Sequence, residues 1–327
     1  MPRLRHLAGG LFLAGLILAL FGLLYVWTEI SRPGPAESAT TIVIDQGAGA
    51  AAISVTLQSA GLVRNSRWFR LAARMQGASG RLHAGEFAVP PGLSALELVE
   101  FLATAKPIQR KITVPEGLTS TAIVALLEAE PLLRGAVAQV PPEGSLLPET
   151  YYFTRGESRQ ALLDRMAAAQ QALLETLWPR RVADLPLDSP QQAVILASIV
   201  EKETGMASER PAVAAVFVNR LRLGMRLQSD PTVIYGLTEG APLGRRLLRA
   251  DLDVDSAYNT YRRAGLPPGP IANPGRASIE AVLNPAQSDH LYFVANGEGG
   301  HAFARTLEEH NRNVARWRRI RRSREMP

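Results

Sequence analysis

The chain opens with an uninterrupted apolar run. Residues 7–27 carry no charged side chain and are long enough to cross a bilayer as one helix. Arg3, Arg5 and His6 precede the run, so the positive-inside rule predicts that residues 1–6 stay cytoplasmic and that the rest is exported. A cleaved signal peptide is the competing interpretation. The run exceeds the usual apolar part of a signal peptide and no A-x-A cleavage site stands near its end, so we expect an uncleaved anchor.

Short strand and helix patterns follow the anchor. Residues 28–40 are rich in proline, glycine, serine and alanine, which predicts a linker. Within residues 41–128, three segments each combine a β-type run, a glycine turn and an amphipathic helical pattern. Ser94 and Glu97 form a predicted capping box at the start of the second helix. We predict a small α+β region over residues 41–140, and the pattern alone favours stacked structural units over a carbohydrate-binding module.

The second half of the chain is mainly helical in pattern, and we predict a separate domain over residues 141–327. Periodicity and capping signals predict helices at residues 160–177, 191–204, 210–223 and 278–283, a hairpin within residues 291–303, and a last helix capped by Thr306 and Glu309. The predicted fold class is therefore α+β, with an N-terminal transmembrane helix.

One predicted helix ends in candidate acid/base residues. Residues 193–200 are apolar on nearly all sides, which predicts a buried helix, and Glu201 and Glu203 follow at its C-terminal end. Desolvation and the negative end of the helix dipole both favour a protonated carboxyl there, as a general acid requires. The two glutamates project to nearly opposite sides. The small neighbours Ala197 and Ser198 favour Glu201 as the residue facing a cleft, with Glu203 as the alternative, although the motif alone is more typical of a solvated helix end.

Polar and aromatic residues occur where loops would line a groove. They are Gln228, Asp230, Tyr258, Asn259 and Tyr261. Aromatic rings stack on sugar faces and amides bind N-acetyl groups, whereas turn chemistry explains each of these residues taken separately. His301 is a further candidate base, but its glycine neighbours make it more typical of the predicted hairpin.

Composition narrows the chemistry. The absence of cysteine excludes disulfides, thiolate chemistry and cysteine-ligated zinc. No two histidines have metal-ligand spacing and no phosphate-binding loop occurs, so we predict neither a metal nor another cofactor. The formal net charge is +6, but Lys106, Lys111 and Lys202 are the only lysines among the basic residues. This arginine bias is typical of a compositional preference, and we do not predict a nucleic-acid partner.

Seven stretches share the order and spacing of one known family. They are residues 143–151, 196–204 (LASIVEKET), 218–222, 225–236, 258–261, 265–275 (GLPPGPIANPG) and 292–301. With the anchor, they resemble the endolytic murein transglycosylase (YceG-like) family. The resemblance implies a LysM-like module over residues 41–140 and a catalytic domain over residues 141–327 related to goose-type lysozyme.

The same resemblance implies a reaction. The family cleaves MurNAc–GlcNAc β-1,4 bonds within nascent glycan strands and leaves 1,6-anhydro-MurNAc ends, and its catalytic glutamate matches Glu201. Since the C6 hydroxyl of the sugar attacks C1, a second carboxylate is not required, in contrast to a standard glycosidase. Glu143, Tyr151 and Asn273 lie in the matching stretches and join the substrate-binding candidates. Glu143 and Asp230 are also candidates for a second carboxylate or for turn residues.

The implied setting is the bacterial inner membrane, with the catalytic part in the periplasm. Expected partners are peptidoglycan glycan strands, peptidoglycan synthases and inner-membrane lipid. Two alternatives stay open: a peptidoglycan-binding scaffold without activity, and a muramidase that uses water. A protonatable Glu201 beside a groove would favour the enzyme, and an exposed or ion-paired Glu201 would favour the scaffold.

Overall fold

The structure is a computed structural model that describes residues 2–78 and 80–325, with the side chains of residues 2–9 and 325 outside that description. The helices and strands in chain order are α1 (Pro2–Ser31), β1 (Thr40–Ile44), α2 (Ala50–Ser59), α3 (Ser66–Met75), β2 (Gly85–Val89), α4 (Ala95–Thr104), β3 (Gln109–Thr113), α5 (Ser120–Glu128), β4 (Thr150–Thr154), α6 (Arg159–Leu177), α7 (Pro190–Glu203), α8 (Arg210–Arg222), α9 (Asp230–Thr238), α10 (Arg276–Leu283), β5 (Tyr292–Ala295), β6 (His301–Ala304) and α11 (Leu307–Glu325). Short 3-10 helices lie at Trp178–Arg180, Ala207–Glu209 and Arg249–Asp253.

The chain divides into two compact units. One unit holds the chain up to Arg110 together with Tyr152–Glu157, and the other holds Lys111–Tyr151 together with the chain from Ser158 onward. The strands form two-stranded sheets, β1–β2, β3–β4 and β5–β6. The mixture of helices with small sheets confirms the predicted α+β class. The predicted domain boundaries at residues 40 and 140 stay predictions.

Helix α1 confirms the predicted apolar N-terminal helix. Its segment Gly10–Ser31 has 22 residues and is long and apolar enough to cross a membrane. The helix continues past residue 27 to Ser31, because no proline interrupts it before Pro33. The first residues of the predicted linker are therefore helical.

The end of α1 packs into the first unit. Ile30 is fully buried, and the ring of Tyr25 meets that of Trp68 edge-on with 6.0 Å between centroids. The side chains of Arg3, Arg5 and His6, on which the predicted orientation depends, lie outside the described residues.

The first unit is a small antiparallel sheet covered by helices. Strands β1 and β2 pair with Ile42 opposite Phe87, and α3 packs against α2 and α4. The capping box of Ser94 and Glu97 at the start of α4 is confirmed. Helix α3 was not predicted, although Asn65 caps it by accepting a hydrogen bond from the backbone N–H two residues on.

The second unit is built around α7. Seven of its residues between 193 and 200 are buried, which confirms the predicted central helix, and α8 and α10 pack against it. Ser189 caps α7 and Pro190 is its first residue, because proline lacks an N–H that would otherwise be unpaired there.

The other predicted elements of this unit are also present. Helices α6, α8, α10 and α11 and the β5–β6 hairpin lie close to their predicted positions. Thr306 Oγ accepts the backbone N–H of Glu309, as predicted for the last helix. The stretch at residues 228–232 was expected to be loop throughout, and this was wrong. Asp230 starts α9, since an acidic residue followed by Pro231 suits a first helical turn.

Candidate active site

The predicted catalytic residue, Glu201, lies in the last turn of α7 with both carboxylate oxygens bonded. Oε2 accepts a hydrogen bond from the backbone N–H of Gly275 at 2.9 Å, and Oε1 accepts one from Nη2 of Arg210 at 3.0 Å. The side chain of Glu201 is only 5% exposed. The same Nη2 atom of Arg210 donates to Oε2 of Glu116 at 2.8 Å. Two carboxylates therefore share one guanidinium, and Glu201 is ion-paired, which is the arrangement expected of the scaffold alternative.

Two glycines bring backbone close to this ion pair. A Cβ atom on Gly275 would overlap the carboxylate of Glu116, so only glycine fits while Glu116 keeps this position. Gly117 has φ +75°, and a Cβ there would lie 3.4 Å from Cγ of Glu201. The position of Glu201 thus depends on two turns that approach the end of α7 closely.

Asn273 joins these turns. It is fully buried, and its Oδ1 accepts the backbone N–H of Leu146 at 3.0 Å. Its Nδ2 donates to the carbonyl of Leu118, to Oγ of Ser120 and to Oε1 of Glu143. With every polar atom bonded inside the protein, Asn273 positions the loop, and its place gives no support to the predicted contact with substrate.

Glu143 is a second, partly buried carboxyl attached to the same loop. Its Oε1 accepts the backbone N–H of Ser120 at 2.8 Å and Nδ2 of Asn273 at 2.9 Å. Burial raises the pKa of Glu143, and the hydrogen bonds from Ser120 oppose this in part. The loop of Asn273 and Gly275 consequently holds Glu143 at one end and Glu201 at the other.

Two tyrosines accompany Glu143. The rings of Tyr235 and Tyr258 pack with 4.8 Å between centroids at 54°. Burial, followed by the charge of Glu143, raises the pKa of Tyr235 to about 12. The same two causes, in the same order, raise the pKa of Tyr258. Both phenols therefore stay protonated at neutral pH and can donate hydrogen bonds.

Glu203, the alternative acid, belongs to a different cluster. Oγ of Ser229 donates to its Oε1 at 2.5 Å, and the hydroxyl of Tyr261 donates to Asp230 at 2.7 Å. Burial raises the pKa of Glu203 to about 7, with Asp230 adding to the rise and Ser229 and Arg220 opposing it. The different partners of Glu201 and Glu203 agree with the expectation that they project to different sides.

The remaining predicted contacts fall into two groups. Gln228 and Asp230 are exposed and could meet a ligand directly. Asn259 is fully buried, and its amide donates to two backbone carbonyls, those of Leu252 and Val254. Tyr151 is 9% exposed and its hydroxyl donates to the carbonyl of Leu147 at 2.8 Å. For Asn259 and Tyr151 the surroundings indicate a structural role.

His301 begins β6, as the hairpin interpretation expected, but it has a partner that the sequence did not predict. Its Nδ1 lies 2.7 Å from Oε2 of Glu209, whose other oxygen accepts the backbone N–H of His301 at 2.8 Å. The hydrogen bonds and charge of His301 outweigh desolvation and lower the pKa of Glu209. A carboxylate thus fixes the ring of His301.

The site residues that sequence reasoning missed are Glu116, Glu209, Arg210 and Ser229. Glu116, Glu209 and Arg210 lie outside the seven matching stretches, and Ser229 lies within the stretch 225–236 but was not singled out. Each meets its partner only through the fold. Within the described part of the chain, no group of three or more His, Asp or Glu side chains is arranged to hold a metal ion.

Comparison with known proteins places the chain among relatives. Residues 42–316 match the model of the YceG-like family. An endolytic murein transglycosylase from Bacillus subtilis is 30% identical over 318 residues, with 87% of each chain covered. An endolytic murein transglycosylase from Streptococcus pneumoniae is 30% identical over 84% of this chain, which spans 58% of that longer relative.

A solved structure is also similar. The 2.6 Å crystal structure of a yceG-like protein from Listeria monocytogenes matches with a TM-score of 0.52 and 31% identity, over 85% of this chain and 99% of the other. The family match covers most of the chain and the curated relatives agree with it. The chain is a member of the YceG-like family.

Proposed function

We propose that this chain is an endolytic peptidoglycan lytic transglycosylase. It cleaves MurNAc–GlcNAc β-1,4 bonds within nascent glycan strands and leaves 1,6-anhydro-MurNAc ends. Relatives that bear the name endolytic murein transglycosylase support this activity. The structural observation that carries the proposal is the burial of Glu201 at the end of α7, where its side chain is 5% exposed and one carboxylate oxygen accepts the backbone N–H of Gly275.

The reaction needs one group that moves a proton twice. Glu201 first protonates the glycosidic oxygen as the bond from C1 of MurNAc to that oxygen breaks. The C6 hydroxyl of the same MurNAc then attacks C1, and Glu201 takes the hydroxyl proton. A bond to C1 is lost and another is gained, no water is consumed, and Glu201 returns to its starting state.

In the first step Oε1 of Glu201 must be free to meet the glycosidic oxygen, whereas in the structure it is bonded to Arg210. Arg210 is shared, so it can stay paired with Glu116 when substrate displaces it from Glu201. Its Nε is buried without a hydrogen-bond partner among the described residues, which leaves a donor for a substrate oxygen. Exposed Gln228 and the ring pair of Tyr235 and Tyr258 are the groups we assign to sugar contact and to charge at C1.

Two other functions keep a specific observation in their favour. The ion pair of Glu201 with Arg210 is what we expected of a binding scaffold without activity. Glu143 is a second carboxyl attached to the same loop as Glu201, and a water-using muramidase needs a second carboxylate. The products separate the three, because only the lyase makes anhydro ends.

The wider arrangement is part of the same proposal. Residues 41–140 form a LysM-like module, and residues 141–327 form a catalytic domain related to lysozyme folds. Helix α1 is a single-pass anchor in the bacterial inner membrane, with residues 1–6 cytoplasmic and the remainder periplasmic. Inner-membrane lipid and peptidoglycan synthases are the proposed partners besides the glycan strands. The apolar segment Gly10–Ser31 supports the anchor.

The deciding experiment compares two glutamates on one helix. The full chain in detergent is incubated with uncross-linked glycan strands, and the muropeptides are identified by mass spectrometry. We expect anhydro-MurNAc products from the unaltered chain and a loss of about a hundredfold or more in Glu201→Gln. Glu203→Gln is the matched variant, since it removes a buried carboxyl from the other cluster, and we expect it to retain activity.

Other outcomes of this experiment would each support a different function or a different acid/base residue. Reducing-end products would establish the muramidase, and binding without cleavage would establish the scaffold. Loss of activity in Glu203→Gln with retention in Glu201→Gln would move the acid/base role to Glu203.

A further inference from the structure

A large cavity lies within the second unit, away from Glu201. Its volume is about 760 Å³, which is in the range of small-molecule and peptide sites. Leu174, Trp178, Val194 and Ile195 from α6, the turn after it and α7 give it apolar walls, together with several prolines. Glu201 is not among its lining residues. The cavity is therefore separate from the carboxylate assigned to catalysis.

The charged groups of the cavity are all acidic. Glu143 and Glu175 line it, and no lysine, arginine or histidine is among its lining residues. The chain as a whole has 36 basic and 30 acidic residues, so the sign of the cavity is opposite to that of the protein. An anionic ligand would be repelled here, and a cationic one attracted.

The hydrogen-bonding groups of the cavity also favour a ligand that donates hydrogen bonds. Gln170, which is 2% exposed, donates Nε2 to the carbonyl of Gly144, and its Oε1 is buried without a partner among the described residues. This bond fixes which end of the amide is the acceptor. Glu143 receives hydrogen bonds from the neutral donors Ser120 and Asn273 and makes no ion pair in the part of the chain that the structure describes. What the cavity lacks is a donor that carries positive charge.

We infer that this cavity binds the aliphatic primary amine of an uncross-linked peptidoglycan stem peptide. An ammonium group has three donors and no acceptor, which suits two carboxylates and the free Oε1 of Gln170. Its alkyl chain suits the apolar walls. The identity of the ligand rests on the proposed function, because the stem peptide hangs from the glycan that the enzyme cleaves.

This assignment gives the enzyme a way to distinguish strands. Cross-linking converts the amine of the acceptor stem peptide into an amide, which removes the charge and two of the three donors. A cavity that selects the ammonium thus disfavours stem peptides that have already accepted a cross-link.

The test measures binding of two peptides that differ in one group. A stem pentapeptide acetylated at its N-terminus, with lysine as its third residue, is titrated by NMR against the full chain in detergent, beside the same peptide acetylated also on the lysine amine. We expect the acetylated peptide to bind about tenfold more weakly, which corresponds to about 1.4 kcal/mol.

Two variants on α6 locate the site. Glu175 is exposed and accepts Nε2 of Gln171 at 2.9 Å, and Asp164 is exposed and accepts Nε2 of Gln160 at 2.9 Å. Both are acids four residues after a glutamine, but only Glu175 lines the cavity. We expect Glu175→Gln to reduce the preference for the free amine and Asp164→Asn to leave it unchanged.

Equal affinity for the two peptides, or a preference unchanged in Glu175→Gln, would overturn the assignment. These peptides contain no glycosidic bond, so their binding does not depend on lytic activity. A failure here leaves the muropeptide result standing, and a failure of cleavage leaves this result standing.

Discussion

Arg210 places one guanidinium nitrogen 3.0 Å from Oε1 of Glu201, at the end of the largely buried helix α7. The pair has little contact with solvent, since the side chain of Arg210 is 12% exposed and that of Glu201 is 5% exposed. Solvent therefore screens the two charges weakly, and each depends on the other for compensation.

We expect removal of Arg210 alone to lower the stability of the folded chain. Arg210→Met leaves Glu201 and Glu116 without their shared cation, and we expect a loss of about 3 kcal/mol in the free energy of unfolding. In the double variant Arg210→Met/Glu201→Gln the charge on Glu201 is also removed, so the loss should be smaller. Urea denaturation of the full chain in detergent measures both. With Glu201→Gln measured alone as well, a loss in the double variant equal to the sum of the two single losses would show that the pair contributes no coupling.

Gly275 allows a matched test of whether the missing side chain at this position is needed for the close contact with Glu116. Gly275→Ala is expected to displace the flexible, partly exposed side chain of Glu116 from Arg210, which we expect to reduce lytic activity about tenfold. Gly49 is the control, because it also precedes a helix with nearly the same backbone angles, φ −76° against −73° and ψ 166° in both. A Cβ at Gly49 meets nothing within 4 Å, so Gly49→Ala should behave as the unaltered chain. Equal activity in the two variants would contradict the role of Gly275.

Glu203 is expected to make stability depend on pH. Its pKa is about 7 in the folded chain against 4.5 for the free side chain, so the folded state binds the proton more tightly. The stabilisation is complete below about pH 4.5 and is lost as the pH rises through 7, by about 3 kcal/mol at most. Urea denaturation at pH 5 and pH 8 measures this loss, and Glu203→Gln should remove most of it. The same pH dependence in both chains would assign it to another group.

Asn259 is expected to act through the fold. Asn259→Ala leaves the carbonyls of Leu252 and Val254 and the N–H of Tyr261 without their partner, and we expect a loss of about 2–3 kcal/mol in stability. The KM of the folded fraction for glycan strands should stay unchanged. A raised KM with unaltered stability would instead restore the predicted sugar contact.

Local signals were sufficient for most of the helices. Ser94 with Glu97, Ser189 with Pro190, and Thr306 with Glu309 each mark a helix start that the structure contains. Such signals act within one turn of chain, which is why they can be read without the fold. The same kind of signal existed at Asn65 and at Asp230, where the helix was missed because turn chemistry gives an equally good local explanation.

The partners of the site could not be predicted in this way. Glu201 could be singled out from its place at the end of an apolar helix. Its hydrogen-bond partners Arg210 and Gly275, however, lie 9 and 74 residues further along the chain. The decisive difference between Glu201 and Glu203 is the cation beside one and the serine beside the other. That difference arises only when distant segments meet.

Residues 238–255 contain three arginines, Arg245, Arg246 and Arg249, and the structure explains the first of them. Arg245 forms two hydrogen bonds to the carboxylate of Asp251, at 2.6 and 2.8 Å, which close a short loop. Nothing in the structure explains Arg246 or Arg249. The fold thus accounts for one arginine of this stretch and leaves the others as surface charge.

Helix α1 runs into the first unit without a flexible joint, with Ile30 buried at its end and Tyr25 against Trp68. If this helix crosses a bilayer, no flexible linker separates the membrane-spanning segment from the first unit, so the unit has little freedom to move away from the membrane. Its distance from the lipid surface is fixed by packing. In the proposed anchored arrangement, this packing keeps the first unit close to the bilayer and within reach only of the glycan nearest the membrane.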